Sequence, residues 1–561
     1  METRNIAIFA VIAAVVIVAA GAVIVSLNNG SDFNDSDNGG QTGHKDYGEW
    51  DPASRDIGQL AVFGNINGDS VINSDDLALF DKAIPLFAAM SDASSALSAA
   101  QKAYNNDGSD ANRVALEKAQ ADYDSAKAAF DALGLPTVPA AKVYKGDQSE
   151  YYLADANCDG KINALDRSIV EKIIEIQGAV HNYNKGDNTS AISYAQLREL
   201  GIDSVNIYYY DVDSVLAQFS YPLTGDMAVG YKSNYESIMV LGAQDRTTYI
   251  CNQVSSETSN YYQWYHKYFA DAHDIGSRFT PDYEVFLNYG APQMFVTGTR
   301  AWFDDNMETT LAPLDVSVIR LPFWEDNVCD SSIVTFGFLI CCQESSYEYS
   351  QTVSDVVDTI ADYVKDIPLE DRPLVFQSYN GSSISTMHNG IHEAVYYAGG
   401  KTPYDIGYSS GSIDIEDVSS AGNMHPDYIG LDQYYGFLEN WDVNDKAGSF
   451  AKMTTQLYET ANKYIQAIKE SDAWAQGKVF AFNQGTFMGP ASHITIAYMF
   501  NVIYADKIAD GTMKAFDVDA LFSDYLKKYH PEYTIDDFTY NGINVQYYNL
   551  IDLDKVMNGK A

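Results

Sequence analysis

The segment Tyr347-Glu-Tyr-Ser-Gln-Thr-Val-Ser-Asp-Val-Val-Asp-Thr-Ile-Ala-Asp-Tyr-Val-Lys-Asp366 places Val353, Val356, Ile360 and Val364 at helical spacing, with Ile367 just beyond and Pro368 forbidding continuation. Working outward, short β-rich runs alternate with helical patterns on both sides. They fall at residues 227–231, 293–297 and 316–321 before the helix, and at 374–378, 428–431 and 478–482 after it. Strand and helix in alternation imply parallel sheets covered by helices. The expected fold class is α/β: a first lobe at about 189–346, a long bridging helix at about 347–367, and a second lobe at about 368–561.

Residues 6–27 carry no charged side chain and match the roughly 20 residues a helix needs to cross a bilayer. Arg4 precedes the run and an acidic, Asn-rich stretch follows it, which places the body on the outer face of a cell membrane, single-pass. Ala20-Gly21-Ala22 also fits a processing site, so a retained anchor and a cleaved signal both stand, with length favouring the anchor. Residues 28–57 read as a flexible polar linker, and a second linker is expected at 179–188. The formal charge of −42, from 35 Lys and Arg against 77 Asp and Glu, repels phosphate backbones and excludes nucleic acid as a partner. The five cysteines lack zinc-type spacing and form no visible disulfide framework.

A repeat lies between the linkers: Asn65-Ile-Asn-Gly-Asp-Ser-Val-Ile-Asn-Ser-Asp-Asp76 and Asp155-Ala-Asn-Cys-Asp-Gly-Lys-Ile-Asn-Ala-Leu-Asp166. A twelve-residue calcium loop offers hard oxygens from positions 1, 3, 5, 7, 9 and 12 with a tight turn at position 6. The second copy supplies Asp155, Asn157, Asp159, the Lys161 carbonyl, Asn163 and Asp166, with Gly160 at the turn. The first supplies Asn65, Asn67, Asp69, the Val71 carbonyl, Asn73 and Asp76; it has fewer carboxylates, and Ser70 at the turn implies about 1 kcal/mol of backbone strain. Between the copies, Met90, Ala93, Leu97, Ala100 and Tyr104, then Leu116, Ala119, Tyr123, Ala126, Phe130 and Leu133, form two apolar seams. They read as an inserted antiparallel helical hairpin over about 86–134.

Paired loops with Asp at position 12 and one helix after each resemble the dockerin family of calcium-dependent, cohesin-binding modules, over about residues 58–178. The resemblance implies structural Ca2+ and a cohesin-like partner meeting positions 10 and 11, here Ser74, Asp75, Ala164 and Leu165. The inserted hairpin departs from that pattern. Further on, Asn234-Tyr-Glu-Ser-Ile-Met-Val-Leu-Gly-Ala-Gln-Asp-Arg246, Tyr283-Glu-Val-Phe-Leu-Asn-Tyr-Gly290, Ala398-Gly-Gly-Lys-Thr402, Asn423-Met-His-Pro-Asp-Tyr-Ile429 and Gly489-Pro-Ala-Ser-His493 occur in an order similar to the helix-bridged periplasmic binding proteins of ABC importers. That family carries iron-siderophores, haem and cobalamin between two Rossmann-like lobes. Residues 252–272 and the Gly290-Ala-Pro-Gln turn depart from it.

In that family ligands sit at loops after strand ends, which here implies Ser277, Arg278, Phe279, Arg300, Trp302 and Trp324 on the first lobe, and Tyr379, Asn380, His388, Tyr434 and Phe487 on the second. Rings that bury area and guanidinium forks suit a flat or anionic metal chelate. The family also docks an ABC permease and ATPase complex through one acid per lobe, matched here by Glu284 and Glu416. The resulting expectation is a tethered binding protein and not an enzyme. Two other readings are an exported dockerin-bearing hydrolase and a surface adhesion or assembly protein. Gly407-Tyr-Ser-Ser-Gly411 satisfies G-x-S-x-G but follows a turn-like stretch, without the strand a nucleophile elbow requires.

Overall fold

Each twelve-residue loop runs into a helix that it caps. Asn73 accepts the amide of Asp75, and Asp76 accepts the amide of Asn73, starting helix α1 (Ser74–Asn106). After a turn, Ser109 caps α2 (Asp110–Asp131), which packs antiparallel on α1 with Phe130 buried and the other seam residues half-buried. The first arm of this hairpin is not separate from the loop helix, as the sequence suggested. α1 is one helix of 33 residues through Pro85, whose missing N–H removes a single internal bond while Ile84, Leu86 and Phe87 keep packing on the core. The second loop feeds α3 (Ala164–Lys185). Residues 179–185 therefore belong to a helix and not to the expected linker: Val180 is buried, and His181 lies 2.9 Å from Glu344.

The computed structural model describes residues 58–139, 150–185, 194–213, 215–323, 330–378, 383–384, 390–408, 411–412, 415–460, 462–487 and 489–558. The candidate membrane segment 6–27, the polar stretch 28–57, Trp324, Tyr379, Asn380, His388 and Ser409 lie outside the described residues. No helix among the described residues is long and apolar enough to cross a membrane.

The first lobe opens with an antiparallel hairpin, β1 (Val205–Tyr210) and β2 (Leu216–Tyr221). Then come β3 (Met227–Val229), α4 (Lys232–Val240), β4 (Thr247–Ile250), β5 (His273–Asp274), β6 (Met294–Thr297) and β7 (Ser317–Arg320). The last five strands form one parallel sheet in the order β7-β6-β3-β4-β5. Every residue of β3 and β6 is buried, as continuous apolar strands must be when helices cover both faces. After α5 (Asp330–Leu339), the bridging helix α6 (Gln343–Val364) buries Val353, Val356, Val357, Ile360 and Val364. These side chains contribute roughly 1.5–3 kcal/mol each.

The second lobe holds β8 (Val375–Ser378), β9 (Tyr428–Gln433), β10 (Val479–Asn483), α7 (Ser492–Ile503), α8 (Val518–Tyr529) and β11 (Tyr547–Asn549). Its sheet, β8-β9-β10-β11, is parallel except for the last strand. α6 packs on α4 of the first lobe and on α7 of the second, so one helix serves both cores.

His493 on α7 is buried, with Nδ1 3.2 Å from the Pro490 carbonyl, and burial pushes its pKa from the ordinary 6.5 down to about 4. The native state keeps this ring neutral while the unfolded chain takes up a proton below pH 6.5. Stability therefore falls as pH drops from about 6.5 to about 4, by about 3 kcal/mol in all. Denaturant unfolding across that range reads the slope, and His493→Gln is expected to remove it.

Candidate functional site

In parallel α/β sheets the open ground for a ligand lies off the carboxyl ends of the strands. At that edge of the first lobe, β3 ends in Gly230-Tyr231-Lys232, where a Cβ on Gly230 would stand 2.8 Å from the Phe295 ring. Past β5, a tight hairpin pairs Gly276–Ser277 with Thr280–Pro281 and carries Arg278 and Phe279 at its tip. The Arg278 guanidinium lies 5.1 Å from the Tyr231 ring centre and 4.5 Å from that of Phe279. Phe303 meets Tyr231 edge-on at 5.2 Å and lies parallel to Phe279 at 6.1 Å. Phe279 and Trp302 remain about half exposed, at 50% and 51%. The result is an aromatic shelf with one cation held on the rings, a surface whose chemistry suits planar groups by area and anions by the guanidinium fork.

Arg300 was expected to share this role and does not stand free to do so. Its guanidinium donates to Asp211 at 2.7 Å, Asp213 at 2.9 Å and Glu308 at 2.6 Å, and Arg320 donates to the same Glu308 at 2.7 Å. Burial favours neutral Glu308, yet Arg320 and Arg300 outweigh it and hold this carboxyl below its ordinary range. Arg300 is thus a brace between strand ends, whereas Arg278 has no ion pair among the described residues. Tyr231 and Phe303 went unrecognised in the sequence, although Tyr231 lies two residues past a strand, the position that flags such a site.

On the second lobe, Tyr434 follows β9 and is half-buried, and Phe487 closes the short helix Gln484–Phe487 after β10. Nothing local in the sequence signals that the two lobes are pinned together at their facing edges. Lys232 Nζ on α4 lies 2.8 Å from the buried Glu439 carboxylate, which also accepts the Tyr261 hydroxyl at 3.2 Å. Burial works against the Lys232 ammonium, but Glu439, Tyr261 and Tyr231 more than offset it and hold its pKa above the ordinary lysine value.

One turn along α4, fully buried Glu236 accepts from Tyr525 at 2.5 Å, Tyr265 at 2.9 Å and His530 Nε2 at 3.0 Å. Burial alone would raise its pKa; His530 and the two hydroxyls reverse that and lower it. Tyr261 and Tyr265 belong to the stretch 252–272 that departs from the family pattern. From it, Trp264 inserts among Phe437, Tyr533 and Phe538 of the second lobe. The departure is therefore a strap from one lobe to the other.

In the loops of the N-terminal module Asn65, Asp76, Asp155 and Asp166 turn inward and are buried, while Asn67, Asp69 and Asp159 stay exposed. Asp155 accepts the amides of Asp159 at 3.0 Å and Gly160 at 2.7 Å, while Asp166 accepts those of Asn157 at 3.3 Å and Asn163 at 2.8 Å. Asn157 and Asp159 in turn accept the amides of Asp159 and Lys161. In the first loop Asp76 accepts from Ile66 and Asn73, Asp69 accepts from Val71, and the buried Asn65 Oδ1 has no donor among the described residues. Burial raises Asp76 and Asp155 to about 6 each, and raises Asp166 as well.

Inward hard oxygens, carboxyls that burial disfavours as lone anions and an orphaned amide oxygen fit a calcium ion. Among the described residues no group of three or more His, Cys, Asp or Glu is placed to hold a metal ion. The strain expected at Ser70 is absent. The first loop makes its left-handed turn at Gly68, φ 71°, whereas the second uses both Cys158, φ 56°, and Gly160, φ 82°. Glu284 and Glu416 are both exposed, at the start of the short helix Glu284–Tyr289 and on the turn Ile415–Val418.

No protein-family model matches the chain, and no curated protein matches it in sequence. Solved structures with a similar chain trace include MolA of Haemophilus influenzae, the molybdate periplasmic binding protein of an ABC transporter, at TM-score 0.43 and 11% identity, covering 58% of this chain and 98% of that one. FepB of Veillonella parvula, a TroA-like periplasmic binding protein, gives TM-score 0.44 and 14% identity over 61% and 99%. CeuE of Helicobacter pylori with Ni(II) bound gives TM-score 0.39 and 11% identity over 59% and 97%.

Proposed function

We propose that this chain is a solute-binding protein that captures a metal chelate, of the iron-siderophore, haem or corrinoid class, for an ABC permease and ATPase complex. The observation that carries the reading is the shelf of Tyr231, Phe279 and Phe303 with Arg278 stacked on it, at the carboxyl edge of one of two lobes joined by a single helix. Residues 6–27 tether the body to the outer face of the membrane, which raises the effective concentration beside a permease. Exposed Glu284 and Glu416 are the acids offered to permease arginines. Trp324, Tyr379, Asn380, His388, Tyr434 and Phe487 complete the ligand contacts in this reading.

Asn65, Asn67, Asp69, Val71, Asn73 and Asp76, with Asp155, Asn157, Asp159, Lys161, Asn163 and Asp166, would hold Ca2+, which supplies the positive charge these inward oxygens lack. The positions a cohesin-like partner would meet, Ser74, Asp75, Ala164 and Leu165, are exposed.

The test is thermal unfolding of the full chain against a panel of ferric chelates, haem and corrinoids. A binding ligand at a hundred times its Kd adds about 2.7 kcal/mol by linkage, and a flat response across the panel would remove the reading. Arg278→Gln is expected to weaken binding of the responding ligand by about tenfold to a hundredfold, as loss of a charged hydrogen bond does, with Tm unchanged. An unaltered affinity would move the anion site elsewhere.

A further inference from the structure

The calcium-loop module is built into the two-lobed body at several independent points. Val62 extends the β1–β2 hairpin through a bridge to Tyr209, and the Phe63 amide donates to the Tyr208 carbonyl at 2.9 Å. The Gln59 and Ala61 amides donate to the Ser331 and Thr335 hydroxyls of α5, both at 3.2 Å. From the bridging helix, the Tyr347 hydroxyl donates at 2.9 Å to the carbonyl of Ser70, inside the first loop. His181 of α3 meets Glu344 in the first turn of the same helix at 2.9 Å. Phe63, Leu153 and Cys158, the last a residue of the second loop, pack with Tyr208, Tyr210 and Leu216.

Each loop therefore has its own tyrosine reaching it from the body. Burial raises the pKa of Tyr347, with Asp69 and Asp76 nearby adding to the shift, and burial raises Tyr208, with Cys158 and Asp155 adding to it. A module hung on a flexible tether would make none of these contacts.

We propose that calcium occupancy of the two loops sets the rigidity of the first lobe's β1–β2 hairpin and of the amino-terminal half of the bridging helix, so that the module acts as a calcium-dependent buttress of the binding body. This rests on the calcium reading given above. The mechanism needs no long-range movement. Ordering the first loop fixes the Ser70 carbonyl that holds Tyr347, and ordering the second fixes the floor on which Phe63 and Tyr208 pack. Because linkage is reciprocal, a body contact that steadies a loop also tightens calcium binding.

Hydrogen exchange of the full chain, with calcium and with EGTA, tests this. Calcium is expected to slow exchange in both loops and, beyond the module, in residues 205–221 and 343–353, by tenfold or more. Tyr347→Phe keeps the ring and removes the donor. It is expected to weaken calcium binding by about fivefold, close to the net worth of one hydrogen bond, and to reduce protection at 343–353 selectively. Protection confined to residues 58–185, with calcium affinity unchanged by Tyr347→Phe, overturns the buttress and leaves the calcium reading standing. No protection in either loop, with no heat of calcium binding, overturns both.

Discussion

Glu236→Ala lowers the free energy of unfolding by about 3–5 kcal/mol, measured by urea denaturation at neutral pH, because it breaks a buried charged cage instead of a surface contact. Glu236 sits on α4 of the first lobe, while Tyr525 and His530 belong to the second and Tyr265 to the strap between them. All four side chains are buried, so removing the carboxylate strands two hydroxyls and an imidazole without water to replace it. Glu236→Gln keeps the volume and one acceptor, and is expected to cost less than the alanine. A loss below 1 kcal/mol for the alanine variant would mean that water enters and replaces the carboxylate. Because the native state depresses the Glu236 pKa, its contribution is present above the ordinary glutamate range and is lost as pH falls through the lowered value. This acid sensitivity adds to that of His493.

Elements with a regular period were the ones legible in the sequence. The bridging helix and six strands were legible because Val353, Val356, Ile360 and Val364 repeat at one helical period and because buried parallel strands read as unbroken apolar runs, as in Met294–Thr297. The two twelve-residue repeats were legible because Asn and Asp recur at fixed spacing ahead of a helix, and each repeat caps the helix that follows it; the turn of the first was misplaced, since it falls at Gly68 and not at Ser70. The β1–β2 hairpin was missed, since Val205–Tyr210 ends in three polar-tipped tyrosines, of which burial alone identifies Tyr209 as core.

The lobe-to-lobe pairs could not be read. Lys232 and Glu439 are 207 positions apart, and Glu236 and His530 are 294 apart, and nothing local distinguishes them from solvated charges. Arg300 shows the same limit from the other direction. Its place after a strand matches a ligand contact, but Asp211, Asp213 and Glu308 come to it only through the fold.

Lys232→Met is expected to destabilise the protein by about 3–5 kcal/mol, and Lys232→Met combined with Glu439→Gln by much less than the sum of the two single changes. The cost depends on which group is left behind. Glu439 is 2% exposed, so without Lys232 it retains only the Tyr261 hydroxyl against the full cost of a buried anion. Neutralising it in the double variant removes that cost and leaves a pair of uncharged side chains in the same volume. A double-mutant cycle on urea unfolding thus gives a coupling energy of about 2–3 kcal/mol if the pair is sealed between the lobes. A coupling near zero would place both charges in water, leaving the Glu236 cage and the strap through Tyr261 and Trp264 to hold the two lobes. A large coupling also bears on the proposed function: with Lys232 neutralised by its own ion pair, the positive charge that reading requires beside Tyr231 falls to Arg278.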